Sequence, residues 1–231
     1  PTWIPDIFTA NASGVLPTGS IFFEEVENPS NNGIFNWEGT VVGNSPVITF
    51  PSSGTYKLRV PTNINWGRPY HLNQTSYADG NKIVEINNWG NHVMVGGLHQ
   101  SFNSRTNLDI ICQDTPNFPS THALTLTFQN CDSLTDPSGS MINWDVSNCT
   151  SMIQTFRYCD SFDSNLSKWD TNKMFSLQEA FRNAPLYNQP MNTQEVIHYG
   201  KTYNAWDVSN VNSFAITFGG SINISTTQSF N

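Results

Sequence analysis

Positive charge is scarce in this chain: ten Lys plus Arg stand against 18 Asp plus Glu in 231 residues, a formal net charge of -8 at pH 7. A surface of that sign has no long-range attraction for a nucleic-acid backbone or an anionic bilayer, so neither is expected as a partner. Charge of either sign is low, at 12% of residues, which leaves Asn, Ser, Thr and aromatic side chains to make the surface, a composition common in secreted and virion-surface proteins. No run of about 18 apolar residues occurs, so no membrane span is expected. A charged and then apolar signal segment is lacking as well, and Pro1 is a start that loss of an initiator Met produces as readily as other processing.

Cysteine is limited to Cys112, Cys131, Cys149 and Cys159, with no CxxC and no paired spacing with histidine, which argues against zinc. There is no GxSxG, HExxH, P-loop or strand-borne GxGxxG. His71, His92, His99, His122 and His198 are scattered, so no catalytic, cofactor-binding or metal-binding residue is singled out. An enzyme is not expected, and no cofactor is called for.

What the chain does have is a repeat. Trp144 opens WDVSNCTSMIQTFRYCDSFDSNLSK, and WDTNKMFSLQEAFRNAPLYNQPM follows from Trp169 without a gap, Leu177, Phe181, Ala184 and Tyr187 taking the places of Met152, Phe156, Cys159 and Phe162. A third copy opens at Trp206 and sets Phe214 and Phe218 in the same slots, after an insertion from Gln194 to Ala205. Leu124, Phe128, Cys131 and Leu134 fit the slots upstream, and Leu98, Phe102 and Leu108 fit them again. Units of about 25 residues, about five of them, form an array in which each buries its apolar face against its neighbours. The expected repeat core is therefore Trp144, Met152, Phe156, Cys159, Phe162, Trp169, Leu177, Phe181, Trp206, Phe214 and Phe218, with the three tryptophans above one another.

Within a unit, Met152, Phe156 and Cys159 lie at i, i+4 and i+7, which predicts a helical turn or two capped by Ser147 or Asn148. Asp145, Asp170 and Asp207 follow the repeat tryptophans and form a column of acids. Calcium favours such oxygen ligands, but capping of free backbone N–H groups is the favoured reading. Cys131 and Cys159 share a slot. Two buried free thiols are favoured over a disulfide because Ala184 fills the same slot in the next unit.

The runs WDVSN, then Met or Phe, then Phe four residues on, resemble the BspA-like leucine-rich-repeat surface proteins, and KIVEINNWGN at Lys82 to Asn91 looks like that family's lead-in to its first repeat. The resemblance implies an irregular leucine-rich-repeat-like solenoid over 81–231. It departs from the family around Leu124, which lacks the WD opening, and at Gln194 to Ala205.

Upstream, 1–20 reads as an extended arm whose Trp3, Ile4, Ile7 and Phe8 are candidates for docking on a partner subunit, with folding back on the chain's own domain equally open. Residues 21–62 form a β-rich cap with NPSNNG, GNS and PSSG turn signals. Trp37, Gly39, Phe50, Gly54, Thr55 and Tyr56 resemble the end of a PKD-type β-sandwich, with Glu38 in place of the usual Gly-Asp step. A polar connector, 63–80, joins this cap to the repeats. The expected class is α+β: a small β-sandwich-like domain followed by the solenoid. The expected function is a non-enzymatic surface protein, a virion component such as a bacteriophage head-decoration or fibre protein. It would attach to other virion or envelope subunits through the arm and to a host surface protein or glycan through the solenoid, and a homo-oligomer is compatible. The alternatives are a bacterial cell-surface adhesin and a polysaccharide hydrolase, the latter distinguished by a cleft with two carboxylates roughly 5–10 Å apart.

Overall fold

The structure, a computed structural model, describes residues 2–3, 19–37, 48–49, 51–59, 83–91, 93–94 and 97–220. Among them it is mostly strand and coil in small sheets. The helical part of the expected α+β class is corrected: the one regular helix among the described residues is a 3-10 turn at Ser140–Asn143.

In the N-terminal part, β2 (Gly19–Glu25) pairs antiparallel with β3 (Asn32–Trp37) on one side and β5 (Tyr56–Arg59) on the other. The β2–β3 connection closes on a bond from Asn31 N–H to the Asn28 carbonyl, with Pro29 at the turn position that its fixed φ suits. The Tyr56 hydroxyl donates to the Ser52 carbonyl at 3.2 Å, tying the PSSG turn to the strand it starts. From the arm, Thr2–Trp3 (β1) pairs antiparallel with Ile48–Thr49 (β4). Ile4, Ile7 and Phe8, and the 63–80 connector, lie outside the described residues.

In the repeat region the i, i+4, i+7 spacing is made by successive β-turns instead of a helix. Thr155 N–H bonds to Met152 O, Cys159 N–H to Phe156 O and Phe162 N–H to Cys159 O. The same three bonds recur from Leu124 to Leu134 and from Leu177 to Tyr187. The third residue of each of the first two turns is left-handed: Leu126 and Asn130, Gln154 and Tyr158, Glu179 and Asn183, with φ between 54° and 59°. Such residues are disfavoured by roughly 1–2 kcal/mol each in isolation. Here their N–H groups point out of the turn and bond to the next copy, Leu126 to Ile153 O, Gln154 to Gln178 O and Glu179 to Ala215 O. Parallel pairings join the copies as well, through β6 (Glu85–Ile86) with β7 (Asp109–Ile110), and through His122 with Cys149, Ser151 with Ser176 and Ser176 with Ser213.

Side chains repeat the same order. Phe102, Phe128, Phe156, Phe181 and Phe218 form a column with ring centroids 5.4–5.7 Å apart and near-parallel planes. Trp144, Trp169 and Trp206 stack beside it at 6.2 and 6.5 Å. The Trp169 and Trp206 indole N–H groups donate to Met141 O and Leu166 O in the copy before. Gly97 shows how close the copies come: it is left-handed (φ +80°), and a Cβ there would meet Ala123 O and His122 Cβ at 2.8 Å.

Candidate functional site

The insertion Gln194 to Ala205 interrupts this order and builds the most elaborated surface feature of the repeat region. It folds as an antiparallel hairpin, β8 (Gln194–His198) against β9 (Lys201–Ala205). Its turn, Tyr199-Gly200, has φ of 51° and 69°, the two left-handed residues that match a two-residue turn to strand twist. Val196 and Tyr203 pack on the core, while Ile197 is 75% and Tyr199 57% exposed. Three contacts fasten the hairpin to the copies beneath it. The Tyr199 hydroxyl donates to Asn143 O, the Tyr203 hydroxyl donates to Lys168 O, and His198 Nε2 lies 3.3 Å from Asn143 Oδ1. Burial raises the Tyr203 hydroxyl to about 12, with Asp170 and Asp145 adding to the shift, so it remains a donor.

The hairpin lines part of two clefts. The larger, about 730 Å³, is bounded by Asn88, Gly90 and Asn91, by Gln113, Asp114, Thr115 and Asn117, and by Asn143 and Tyr199. The single carboxylate among its described lining residues is committed: Asp114 accepts the Trp89 N–H on both oxygens at 3.0 Å and the Gly90 N–H at 2.7 Å. The smaller, about 360 Å³, is bounded by Ser147, Asp170, Asn172, Lys173 and Asp207, with Lys201, Tyr203 and Asn204 from the hairpin. Asp170 accepts the Asn172 N–H, and Asp207 accepts the Ser209 N–H and the Asn172 amide. The bonds from Ser209 hold the Asp207 carboxyl below its ordinary value, the opposite of what a general acid at neutral pH needs.

The repeat acids are thus placed by backbone geometry. Asp145, Asp170 and Asp207 each accept the N–H two residues on, closing a turn at the start of each copy. Burial pushes the Asp145 carboxyl up, but the Ser147 hydroxyl and N–H, with Lys201 and His122 nearby, outweigh it and hold it low. A different acid, Asp136, holds the 3-10 turn Ser140–Asn143 just ahead of Trp144. It is buried and accepts from Ser140 N–H, Met141 N–H and the Ser164 hydroxyl. Among the described residues no three His, Cys, Asp or Glu side chains form a metal-ligand group.

Of the residues singled out in the sequence, Trp144, Met152, Phe156, Cys159, Phe162, Trp169, Leu177, Phe181 and Trp206 are buried, and Phe218 is partly buried against them. Phe214 differs, at 48% exposed. It belongs to the last copy, which has a neighbouring copy on one side only among the described residues. All four cysteines are free. The Cys131 and Cys159 thiols donate to Phe102 O and Phe128 O in the copy before, and burial lifts Cys112, Cys131 and Cys149 to about 12, far from a nucleophile's range. The clefts themselves were not read from the sequence. Their one local signal is the alternation on both sides of Tyr199-Gly200, the mark of a hairpin.

Residues 96–204 match a family model described as "Mycoplasma protein of unknown function, DUF285". The matched span runs from the copy at Leu98 to nearly the end of the hairpin. No curated protein and no solved structure matches the chain. No helix among the described residues is long and apolar enough to cross a membrane.

Proposed function

We propose that this chain is a non-enzymatic surface-display protein, its repeats coiled as a leucine-rich-repeat-like solenoid that holds the β8–β9 hairpin and its two clefts outward for attachment. The observation that carries the reading is the hairpin: twelve residues break the period, keep the register of Trp169 and Trp206 beneath them, and present Ile197 and Tyr199 to solvent. A scaffold that absorbs an insertion without losing its stacking suits display. Support for a non-catalytic role comes from the committed carboxylates of both clefts and the high thiol pKa values.

Two surfaces compete for the place of display. The family model matched by 96–204 is associated with BspA-like surface repeat proteins, which favours the bacterial cell envelope. The virion reading rests on the neutral, Asn-rich composition. In either setting the N-terminal arm and β cap serve as the attachment end, docking on an envelope or virion subunit. Immunogold labelling of intact, unpermeabilised producer cells and of purified particles tests this. Label on cells supports the adhesin reading, label on particles the virion reading, and label only after permeabilisation rejects surface display. Removal of 1–20 is expected to reduce incorporation while leaving the repeats folded.

A further inference from the structure

The larger cleft beside the hairpin has a chemistry that narrows its ligand, and we infer that it binds a neutral, hydroxyl-rich oligosaccharide, with a sugar ring resting on Tyr199. This rests on the reading of the repeat region as a binding surface and adds the site and the class of ligand. The volume, about 730 Å³, falls in the range of about 300–1,000 Å³ for small-molecule sites. Five of its nine described lining residues, Asn88, Asn91, Gln113, Asn117 and Asn143, carry a side-chain amide. An amide offers donors and an acceptor on one planar group, which matches sugar hydroxyls, themselves both donor and acceptor.

The same lining argues against other ligands. Among the described residues no Lys, Arg or His bounds the cleft, so an anionic group finds no counter-charge there. The one carboxylate among the described lining residues already accepts the Trp89 and Gly90 N–H, and a lone carboxylate is fewer charged oxygen ligands than a dedicated cation site uses. Among the described residues Tyr199 is the one aromatic or large aliphatic lining residue, too little for an apolar ligand. A single exposed ring with a negative face does suit the C–H face of a pyranose. That ring is fixed in advance: its hydroxyl is bonded to Asn143 O, and His198 lies behind it with ring centroids 4.2 Å apart. Little rotamer freedom is then lost on binding.

The test titrates the purified full chain with cellotetraose, maltotetraose and chitotetraose, and with tetragalacturonate as the acidic counterpart, by calorimetry and saturation-transfer NMR. At least one neutral probe is expected to bind at millimolar concentration or tighter, with affinity unchanged between about 0.05 and 0.5 M salt because no charge is paired. Tyr199→Ala should weaken it at least about tenfold, and Tyr199→Phe should keep most of it, since the ring face does the stacking. Circular dichroism checks that both variants fold. Failure of all three neutral probes, preference for tetragalacturonate, or full binding by Tyr199→Ala overturns the inference. So would a protein ligand captured through this cleft that no neutral probe displaces. Surface labelling with failed titration removes the glycan and leaves the display reading; titration with failed labelling does the reverse.

Discussion

At the scale of single residues, the Phe column is where stability is concentrated. Phe156 is fully buried and stacks on Phe128 at 5.7 Å, Phe181 at 5.4 Å and Phe162 at 4.1 Å, so it serves its own copy and both neighbours. Phe156→Ala is expected to lose about 3–5 kcal/mol. Phe214→Ala, at a half-exposed slot, should lose less than about 1 kcal/mol; urea unfolding of the two variants checks the contrast. The histidines set a pH dependence. Burial lowers the pKa of His122, whose Nδ1 meets Ser120 O at 3.0 Å and whose Nε2 is buried without a partner among the described residues. Burial, then the nearby Lys168, lowers that of His198. A histidine with a depressed folded pKa is held neutral by the fold, so its contribution is complete above the ordinary value of about 6.5 and is lost as pH falls below it. The urea midpoint should therefore drop between pH 7 and pH 5, above the range where most carboxylates titrate. His122→Phe, which keeps the stack on Phe118, should flatten that drop; an unchanged profile would remove His122 from the explanation.

At the scale of elements, the hairpin behaves as an addition to a register that does not need it. Deleting Gln194 to Ala205 restores the spacing of 25 between Trp169 and the next tryptophan, while removing the Tyr199, Tyr203 and His198 contacts and the burial of Val196. A loss of about 1–3 kcal/mol with the repeats still folded is expected, measured by urea unfolding and near-ultraviolet circular dichroism, whereas global unfolding would make the hairpin part of the core. The repeat copies were legible because side-chain slots recur at fixed spacing and Trp144, Trp169 and Trp206 mark three of the starts. Their conformation was not. A run with apolar residues at i, i+4 and i+7 serves a helix, but it serves equally three β-turns with left-handed Leu126 or Gln154 in them, and such residues carry no signature in composition. What stabilises them is a bond to the next copy, about 25 residues away, which lies beyond any local pattern. The larger cleft was illegible for a related reason, since Asn88, Asn117, Asn143 and Tyr199 come from four separate stretches and only the stacking brings them together.

At the scale of the whole molecule, backbone bonds join adjacent copies in both directions, as in Leu126 N–H to Ile153 O one way and Thr150 N–H to His122 O and Phe175 N–H to Thr150 O the other, so each copy depends on its neighbours more than on the chain as a whole. Stability in such an array is a sum of unit and nearest-neighbour contributions, and opening should begin where a neighbour is missing. The copy at Phe214, with Phe214 and Ile216 about half exposed, is such a place. The hairpin is fastened further in, at Asn143 and Lys168, beside copies with neighbours on both sides, where the same rule predicts later opening. Native-state hydrogen exchange reads this directly. The Gln154 and Phe156 amides, bonded to Gln178 O and Ala180 O, are expected to show the highest protection. The Glu179 and Phe181 amides, bonded to the last copy at Ala215 O and Thr217 O, should exchange faster, and Phe156→Ala should level the two. Equal protection across all four in the unmodified chain would mean a single cooperative unit, and opening would then owe nothing to position along the array.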